Sequence, residues 1–243
     1  MDPVLRLIAG HRSVRSFEPT RLDDDVVREC VAAAQQAATS SNVQPYALIR
    51  VEAPDTRAAL ARCCGDQPQV AEAGAFFVVC AEQRRFRIAA DLHDAPFEPN
   101  LETFLVGAID ASIFAQSLVL AFEAQGLGIC YIGGLRNELR EVRRLLELPA
   151  DVFPLYGLCV GVPAEDPGTK PRLAPEAVLF HERYPSEAEQ RAHVGEYDGR
   201  MAEYYAARGL EGRDWSGGVF RKWRRRTREE LRGFYGEQGA RLD

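Results

Sequence analysis

The chain has 243 residues, 46% of them hydrophobic and 27% charged, proportions that give room for one large globular domain or two small ones. A net charge of −6 speaks against a general binder of nucleic acid or of an anionic membrane surface, and the charged first ten residues lack the apolar run of a secretory leader. Six cysteines without a C-x-x-C pair and four histidines (His11, His93, His181, His193) without metal-ligand spacing fit neither a disulfide framework nor a metal site, and they point to the cytoplasm.

Taken in chain order, Pro3 to Ala9 reads as a short helix stopped by Gly10. Asp23 is a plausible N-cap for a helix running to about Gln36, with Val26, Val27, Cys30, Val31 and Ala34 at helical spacing. A polar loop, Thr39 to Asn42, precedes a strand at Tyr46 to Val51 and a helix at Pro54 to Cys64. Ala75 to Ala81 is an apolar run suited to a central strand. Arg84 to Asn100, which holds Pro96 and Pro99, reads as an excursion loop.

Glu102 to Gln125 is expected to form a helix of about 36 Å at 1.5 Å per residue. It is apolar nearly all round, but Asp110, Ser112, Gln116 and Ser117 interrupt it, so it reads as a helix buried in the core or against a second subunit, not as a membrane span. Short elements follow: a strand at Gly128 to Ile132, a helix at Asn137 to Leu146 and a strand at Pro154 to Val162. The core is expected to end near residue 165. Beyond Pro163, Pro167, Pro171 and Pro175 lead into two mostly polar helices, Ser186 to Arg208 and Val219 to Gln238. Such helices bury little among themselves, which suggests an arm wrapped around a second copy.

Three stretches carry candidate chemistry. His11-Arg12-Ser13-Val14-Arg15 gathers two guanidinium groups, an imidazole and a hydroxyl within five residues. Guanidinium grips phosphate through parallel hydrogen bonds, so the cluster suits a phosphorylated cofactor; a solvated surface loop is the bland alternative. Tyr131-Ile132-Gly133-Gly134-Leu135-Arg136 closes a strand with two glycines, which admit either a ligand close to the backbone or merely a tight turn. Lys170-Pro171-Arg172 places two cations on a stiffened chain. Of thirty basic residues only Lys170 and Lys222 are lysines, so a single arginine carries less information than usual and Lys170 carries more. The basic run Arg221 to Arg228 reads as a solvated or subunit-facing helix face. No dinucleotide fingerprint, P-loop, nucleophile elbow or H-E-x-x-H is present.

In this order the pieces resemble the FMN-dependent nitroreductase family, in particular its oxygen-insensitive NADPH nitroreductase and flavin reductase branch. The resemblance runs from Leu5 and Gly10-His11-Arg12-Ser13-x-Arg15-x-Phe17, through Thr39-Ser40-Ser41-x-x-Gln44, Gly65-x-Gln67, Tyr131 to Arg136 and Lys170-Pro171-Arg172-Leu173, to Glu203-Tyr204-Tyr205-x-x-Arg208-Gly209. It implies an α+β fold with a mixed sheet between helical layers, a single domain whose C-terminal extension, about 166–243, wraps the partner in a domain-swapped homodimer, and two FMN molecules at the dimer interface.

By position, His11, Arg12, Ser13, Arg15 and Arg172 would hold the phosphate and ribityl end, and Ser40, Ser41 and Gln67 would bond along the ribityl chain and ring. Lys170 would lie near N1 and O2 of the flavin. Tyr131, Ile132, Gly133, Gly134 and Leu135 would run beside the ring, with the Gly133 N–H near N5. Arg208 and Arg213 match positions used for the 2′-phosphate of NADPH. Asn42 stands where the family has a bulkier apolar residue. The activity implied is a two-electron, ping-pong NADPH oxidoreductase acting on nitroaromatics, quinones or similar flat acceptors, with flavin, azo or chromate reduction as alternatives. A non-catalytic flavin-binding protein is the rival from another class. Neither a resident metal nor a nucleic-acid or membrane partner is expected.

Overall fold

Four strands, β1 (Tyr46–Val51), β2 (Ala75–Glu82), β3 (Gly128–Ile132) and β4 (Val152–Gly161), lie in the order β1-β2-β4-β3. Alternation along β2 explains the layering. Successive side chains of a strand point to opposite faces; here Phe77, Val79 and Ala81 enter one core while Phe76, Val78 and Cys80 enter another. A strand buried on both faces needs helices on both, and the computed structural model, which describes residues 1–242, supplies them.

On the first face lie α2 (Asp24–Ala34) and the long α6 (Leu101–Ala124), whose Phe114, Leu118 and Phe122 are completely buried. Phe114 stacks on Tyr46 of β1 at 4.3 Å, and Phe122 on Phe77 of β2 at 5.9 Å. Each such side chain contributes about 1.5–3 kcal/mol by leaving water. Gly107 lets α6 approach the sheet, since a Cβ there would stand 3.1 Å from the Ala81 Cβ. The opposite face is covered by α3 (Pro54–Cys63), α4 (Gln69–Glu72) and α7 (Leu139–Leu145).

The remaining elements of this unit are α1 (Pro3–Ala9) and α5 (Arg84–Leu92). Asp23 caps α2 as expected, accepting from the Asp25 N–H at 2.7 Å. All six cysteines are buried free thiols; burial pushes the Cys64 and Cys80 thiols up to about 12, which leaves them protonated and inert near neutral pH.

Several expectations change. Every pairing between the four strands is antiparallel, and the only parallel pairing among the described residues is an isolated bridge from Ser13 to Ile129. The mixed character of the sheet therefore reduces to the point where the basic loop joins β3. Strand β4 begins at Val152, so Pro154 lies inside a central strand; the register shifts there, between Val79 and Cys80 of β2, which removes the need for its missing N–H. The stretch read as an excursion loop contains α5, and the turn after β3 is a 3₁₀ helix, Gly133–Asn137, ahead of a shorter α7.

The single helix expected over Val219 to Gln238 is two, α9 (Trp215–Trp223) and α10 (Leu231–Glu237), separated near Arg228, whose φ is +57°. The segment from Arg228 onward does not join an arm. It packs on the core of its own chain, where Phe234 and Tyr235 are buried and the Tyr235 hydroxyl donates to the Pro154 carbonyl at 2.9 Å. The first compact unit is thus Met1–Pro167 with the chain from Arg228 onward, and Gly168–Thr227 is a second. The second consists of α8 (Glu187–Ala206), capped by Ser186 in a capping box with Glu189, and α9, whose first N–H groups at Trp215 and Ser216 are received by Asp198 at 3.1 and 2.8 Å.

Helix α6 is the one described helix long and apolar enough to cross a membrane, but eight of its residues are buried in the core, Asp110 among them. It leaves one apolar edge uncovered: Leu101, Leu105, Ile109 and Ile113, four residues apart, are all exposed, Ile109 by 54%. Val4, Leu5 and Ile8 of α1 are exposed as well.

Candidate flavin site

The basic loop is held against the sheet from both sides. Val14 is buried, and its N–H donates to the Ile129 carbonyl at 2.9 Å beside the Ser13–Ile129 bridge. On the other side the chain leaving β4 runs along the loop: Phe17 bridges Pro163, and the Ala164 N–H donates to the Ser16 carbonyl at 3.0 Å. The Glu165 carboxylate accepts the N–H groups of Arg15 at 2.7 Å and Ser16 at 3.0 Å. With those amides already used, what the loop offers an anion is its side chains.

Those side chains are partly ordered by acids. Arg12 Nε pairs with Asp166 at 2.7 Å, and Arg12 Nη1 donates to the Gly10 carbonyl at 3.2 Å. His11 Nδ1 lies 2.7 Å from Glu123 in the last turn of α6. Arg15 is exposed, with Nη1 3.4 Å from the Ser13 carbonyl. His11, Arg12, Ser13 and Arg15 thus come together on one edge of β3, as a phosphate cluster requires.

Strand β3 delivers its C-terminal end to the other half of the site. The Tyr131 hydroxyl donates to Gln116 at 3.3 Å, its ring meets Tyr156 edge-on at 5.5 Å, and burial raises its phenol pKa. Ile132 and Leu135 are completely buried and fix the turn between them. The two glycines divide the alternatives that the sequence left open. A Cβ on Gly134 would collide with the Cys64 carbonyl oxygen and stand 2.6 Å from Gln67 Nε2, whereas a Cβ on Gly133 would meet only the tip of Arg136 at 3.4 Å. Gly134 is therefore demanded by packing, and Gly133 borders open space.

Gln67 is bound up in the same turn. Its Nε2 donates to the Cys64 carbonyl at 2.8 Å, and its Oε1 accepts from Gln69 at 3.0 Å. Ser40 and Ser41 sit elsewhere, in a 3₁₀ turn over Ser40–Asn42 that the buried Asp110 secures by accepting the Ser40 N–H at 2.9 Å. Ser41, Asn42 and Gln44 all take left-handed backbone conformations, with φ of +46°, +58° and +49°. These are uncommon for residues with a Cβ and recur where a loop is shaped for a ligand.

In the second unit the expected cations gather around two tyrosines. Lys170 Nζ lies 5.9 and 5.7 Å from the ring centres of Tyr204 and Tyr205, while the Arg208 guanidinium stacks 3.7 Å over Tyr204. Arg172 donates to the Lys170 carbonyl at 2.8 Å, and the Tyr197 hydroxyl donates to the Pro171 carbonyl at 2.8 Å, so the short basic segment is tied down at both ends. Arg213 is exposed.

The sequence reading missed Glu123, Glu165 and Asp166, the acids that position the loop. Two of these contacts, His11–Glu123 and Arg15–Glu165, bridge 112 and 150 residues. In the sequence Glu123 is only a polar residue closing an apolar helix, and the other two belong to a connector.

Comparison with known proteins agrees with this arrangement. Residues 8–162 match the nitroreductase family, and residues 170–243 match the nitroreductase family, C-terminal domain. The chain is 38% identical to an FMN reductase (NADPH) of Bacillus subtilis over 98% of both chains. It is 36% identical to the oxygen-insensitive NADPH nitroreductase of Salmonella typhimurium, again over 98% of each. The solved structure of B. megaterium NfrA1 superimposes with a TM-score of 0.96 at 37% identity, covering 98% of this chain and 99% of that one. By sequence along its length and by fold, the chain belongs to the nitroreductase family.

Proposed function

We propose that the protein is a homodimeric, FMN-dependent NADPH oxidoreductase that reduces nitroaromatics, quinones or similar flat acceptors in two-electron steps. The observation that carries the reading is the contrast between Gly133 and Gly134: a turn built to leave space at one glycine, at the end of the strand that bears the basic loop along its edge. A planar ring placed against Gly133 would have a row of side-chain cations on hand for its phosphate. Bound there, FMN supplies the redox chemistry, taking hydride from NADPH and passing two electrons to the acceptor.

The residues of the chain bind and tune. His11, Arg12, Ser13 and Arg15 hold the phosphate end together with Arg172, and the Gly133 N–H stands beside the ring with Tyr131, Ile132, Gly134 and Leu135 as its wall. Gln67 orders that turn and bonds along the ribityl chain. Lys170 offsets negative charge at the N1 and O2 edge, and Arg208, with Arg213, receives the 2′-phosphate of NADPH. Coenzyme and acceptor then use one ring face in turn, which is the origin of ping-pong kinetics. A planar apolar slot discriminates weakly among flat electrophiles, so azo compounds, free flavin or chromate remain alternative acceptors. The six free thiols fit the reducing conditions of a cytoplasm.

Anaerobic mixing with NADPH is expected to bleach the bound flavin, and an added quinone or nitroaromatic should restore the colour. Arg208→Ala should slow the bleaching by NADPH about tenfold, the value of one lost charge-assisted contact, and leave the slower reaction with NADH nearly unchanged. Persistent yellow colour in the wild type would mean a flavin binder without turnover; equal losses with both coenzymes would remove Arg208 from the 2′-phosphate.

Dimerisation has its own support. His11 and Ser40 are secured to Glu123 and Asp110 of α6, residues about 20 Å apart at 1.5 Å per residue. One flavin served by both ends is most economically shared between two copies, with Ser40 and Ser41 donated by the partner. The uncovered edge of α6 supplies an apolar surface for that contact. Ile109→Glu is expected to give monomers in sedimentation velocity and to lose flavin with them; an unchanged dimer would place the interface elsewhere.

A further inference from the structure

We propose that Glu123 is a positioning residue for the phosphate site, holding the imidazole of His11 by Nδ1 so that Nε2 is the nitrogen left for the anion. This rests on the reading of His11 as a phosphate contact. The carboxylate stands where its charge is unwelcome: in the last turn of α6, where the helix end carries partial negative charge, with only 11% of its side chain exposed. Its Oε2 is buried without a hydrogen-bond partner among the described residues, so the contact of Oε1 with His11, at 2.7 Å, is its principal compensation.

An ionised carboxylate can only accept, which places a hydrogen on His11 Nδ1 and fixes both the ring's orientation and its tautomer. When Nε2 also carries a proton, the ring donates on both sides, to Glu123 on one and to a phosphate oxygen on the other. The pair also sits among cations. Glu123 shares with Arg6 and Arg12 a cavity of about 510 Å³ that is otherwise walled by apolar residues such as Leu7, Val14 and Leu127, and the Tyr131 phenol lies within reach of its field. Left free to rotate, the imidazole would be turned by Arg12 and Arg15 as readily as by the ligand. Held by Glu123, it is set before the phosphate arrives.

FMN and riboflavin separate this role from a merely structural one, because they share the ring system and differ by the phosphate. Glu123→Ala is expected to weaken FMN about tenfold, the worth of an organised charge-assisted hydrogen bond, while riboflavin binding changes less than about twofold; Glu123→Gln, whose amide oxygen still accepts from Nδ1, should recover part of the loss. Equal weakening of both flavins, or no change in their ratio in either variant, would overturn the proposal. Should Glu123→Ala fail to fold, the ¹⁵N spectrum of the wild-type FMN complex decides: hydrogen on both ring nitrogens of His11 supports the assignment, and a bare Nδ1 refutes it. A wild type that binds neither flavin would refute the flavin reading itself, a result distinct from all of these.

Discussion

Gly134→Ala should destabilise the protein, while Gly133→Ala should leave its stability intact and damage its flavin binding. The two positions are adjacent, carry the same substitution and share one 3₁₀ turn, so propensity cancels and only the surroundings differ. At 134 the new methyl meets the backbone of Cys64, which cannot retreat without disturbing the end of α3, and the amide of Gln67, whose bond to Cys64 spans the same gap. Overpacking of this kind costs about 1–3 kcal/mol. For a chain of this size each kcal/mol lowers the melting temperature by roughly 2–4 °C, so a fall on the order of 5 °C is expected in calorimetry.

At 133 the methyl points into open space, and apoprotein melting should move by no more than about a degree, since surface changes of this sort lie within ±0.5 kcal/mol. If that space is where the ring lies, the same methyl stands against the ligand and FMN affinity should fall at least tenfold, about 1.4 kcal/mol. The opposite pattern, a stable Gly134→Ala and an unstable Gly133→Ala with full flavin affinity, would reverse the roles assigned to the pair.

Arg87→Leu is expected to cost about 2–3 kcal/mol in urea unfolding, one of the larger single losses available outside the hydrophobic core. Asp151 is buried, with 1% of its side chain exposed, and accepts a two-pronged bond from Arg87 Nε at 2.6 Å and Nη2 at 3.1 Å. The carboxylate is also boxed in by backbone: the Asp151 N–H donates to the Gln238 carbonyl at 2.7 Å, and Gly239, at a φ of +110°, passes so near that a Cβ would stand 2.6 Å from Asp151 Oδ1.

Removing one partner of a buried ion pair strands the other charge and typically costs about 3–5 kcal/mol. The lower figure applies here because Arg87 itself is 43% exposed, and water admitted at its end can partly solvate the acid. The pair ties α5 to the start of β4 and the end of the chain, so Arg87→Leu should also raise proteolysis after α10. A loss below about 0.5 kcal/mol would reduce the contact to an ordinary surface salt bridge.

Local signals in the sequence were read well, and contacts made over long distances were not. Ala75 to Glu82 announced a strand buried on both faces because no polar residue interrupts its run before Glu82, and the fold puts its odd and even residues into different cores. Asp23, Gly10 and Ser186 marked helix ends through their own capping chemistry.

Helix α5 was hidden because Arg84–Leu92 buries no residue fully and runs into a proline-containing stretch, which gave the whole segment the character of a loop. The break between α9 and α10 was invisible for a different reason. Phe234 and Tyr235 are drawn out of the polar extension by β4, some eighty residues earlier, and a sequence window cannot register that attraction. The candidate site divides in the same way. The basic loop and the glycine pair are contiguous and could be named, but only the packing around Cys64 distinguishes Gly133 from Gly134, and only the fold brings Glu123 to His11.

The central claim is that the His11–Arg15 loop and the open side of Gly133 form one FMN site. Its most direct test is a fluorescence titration of flavin-free protein with FMN, followed by gel filtration. The account predicts saturation at one FMN per chain, with the colour travelling on the protein; failure of properly folded protein to take up FMN would contradict it.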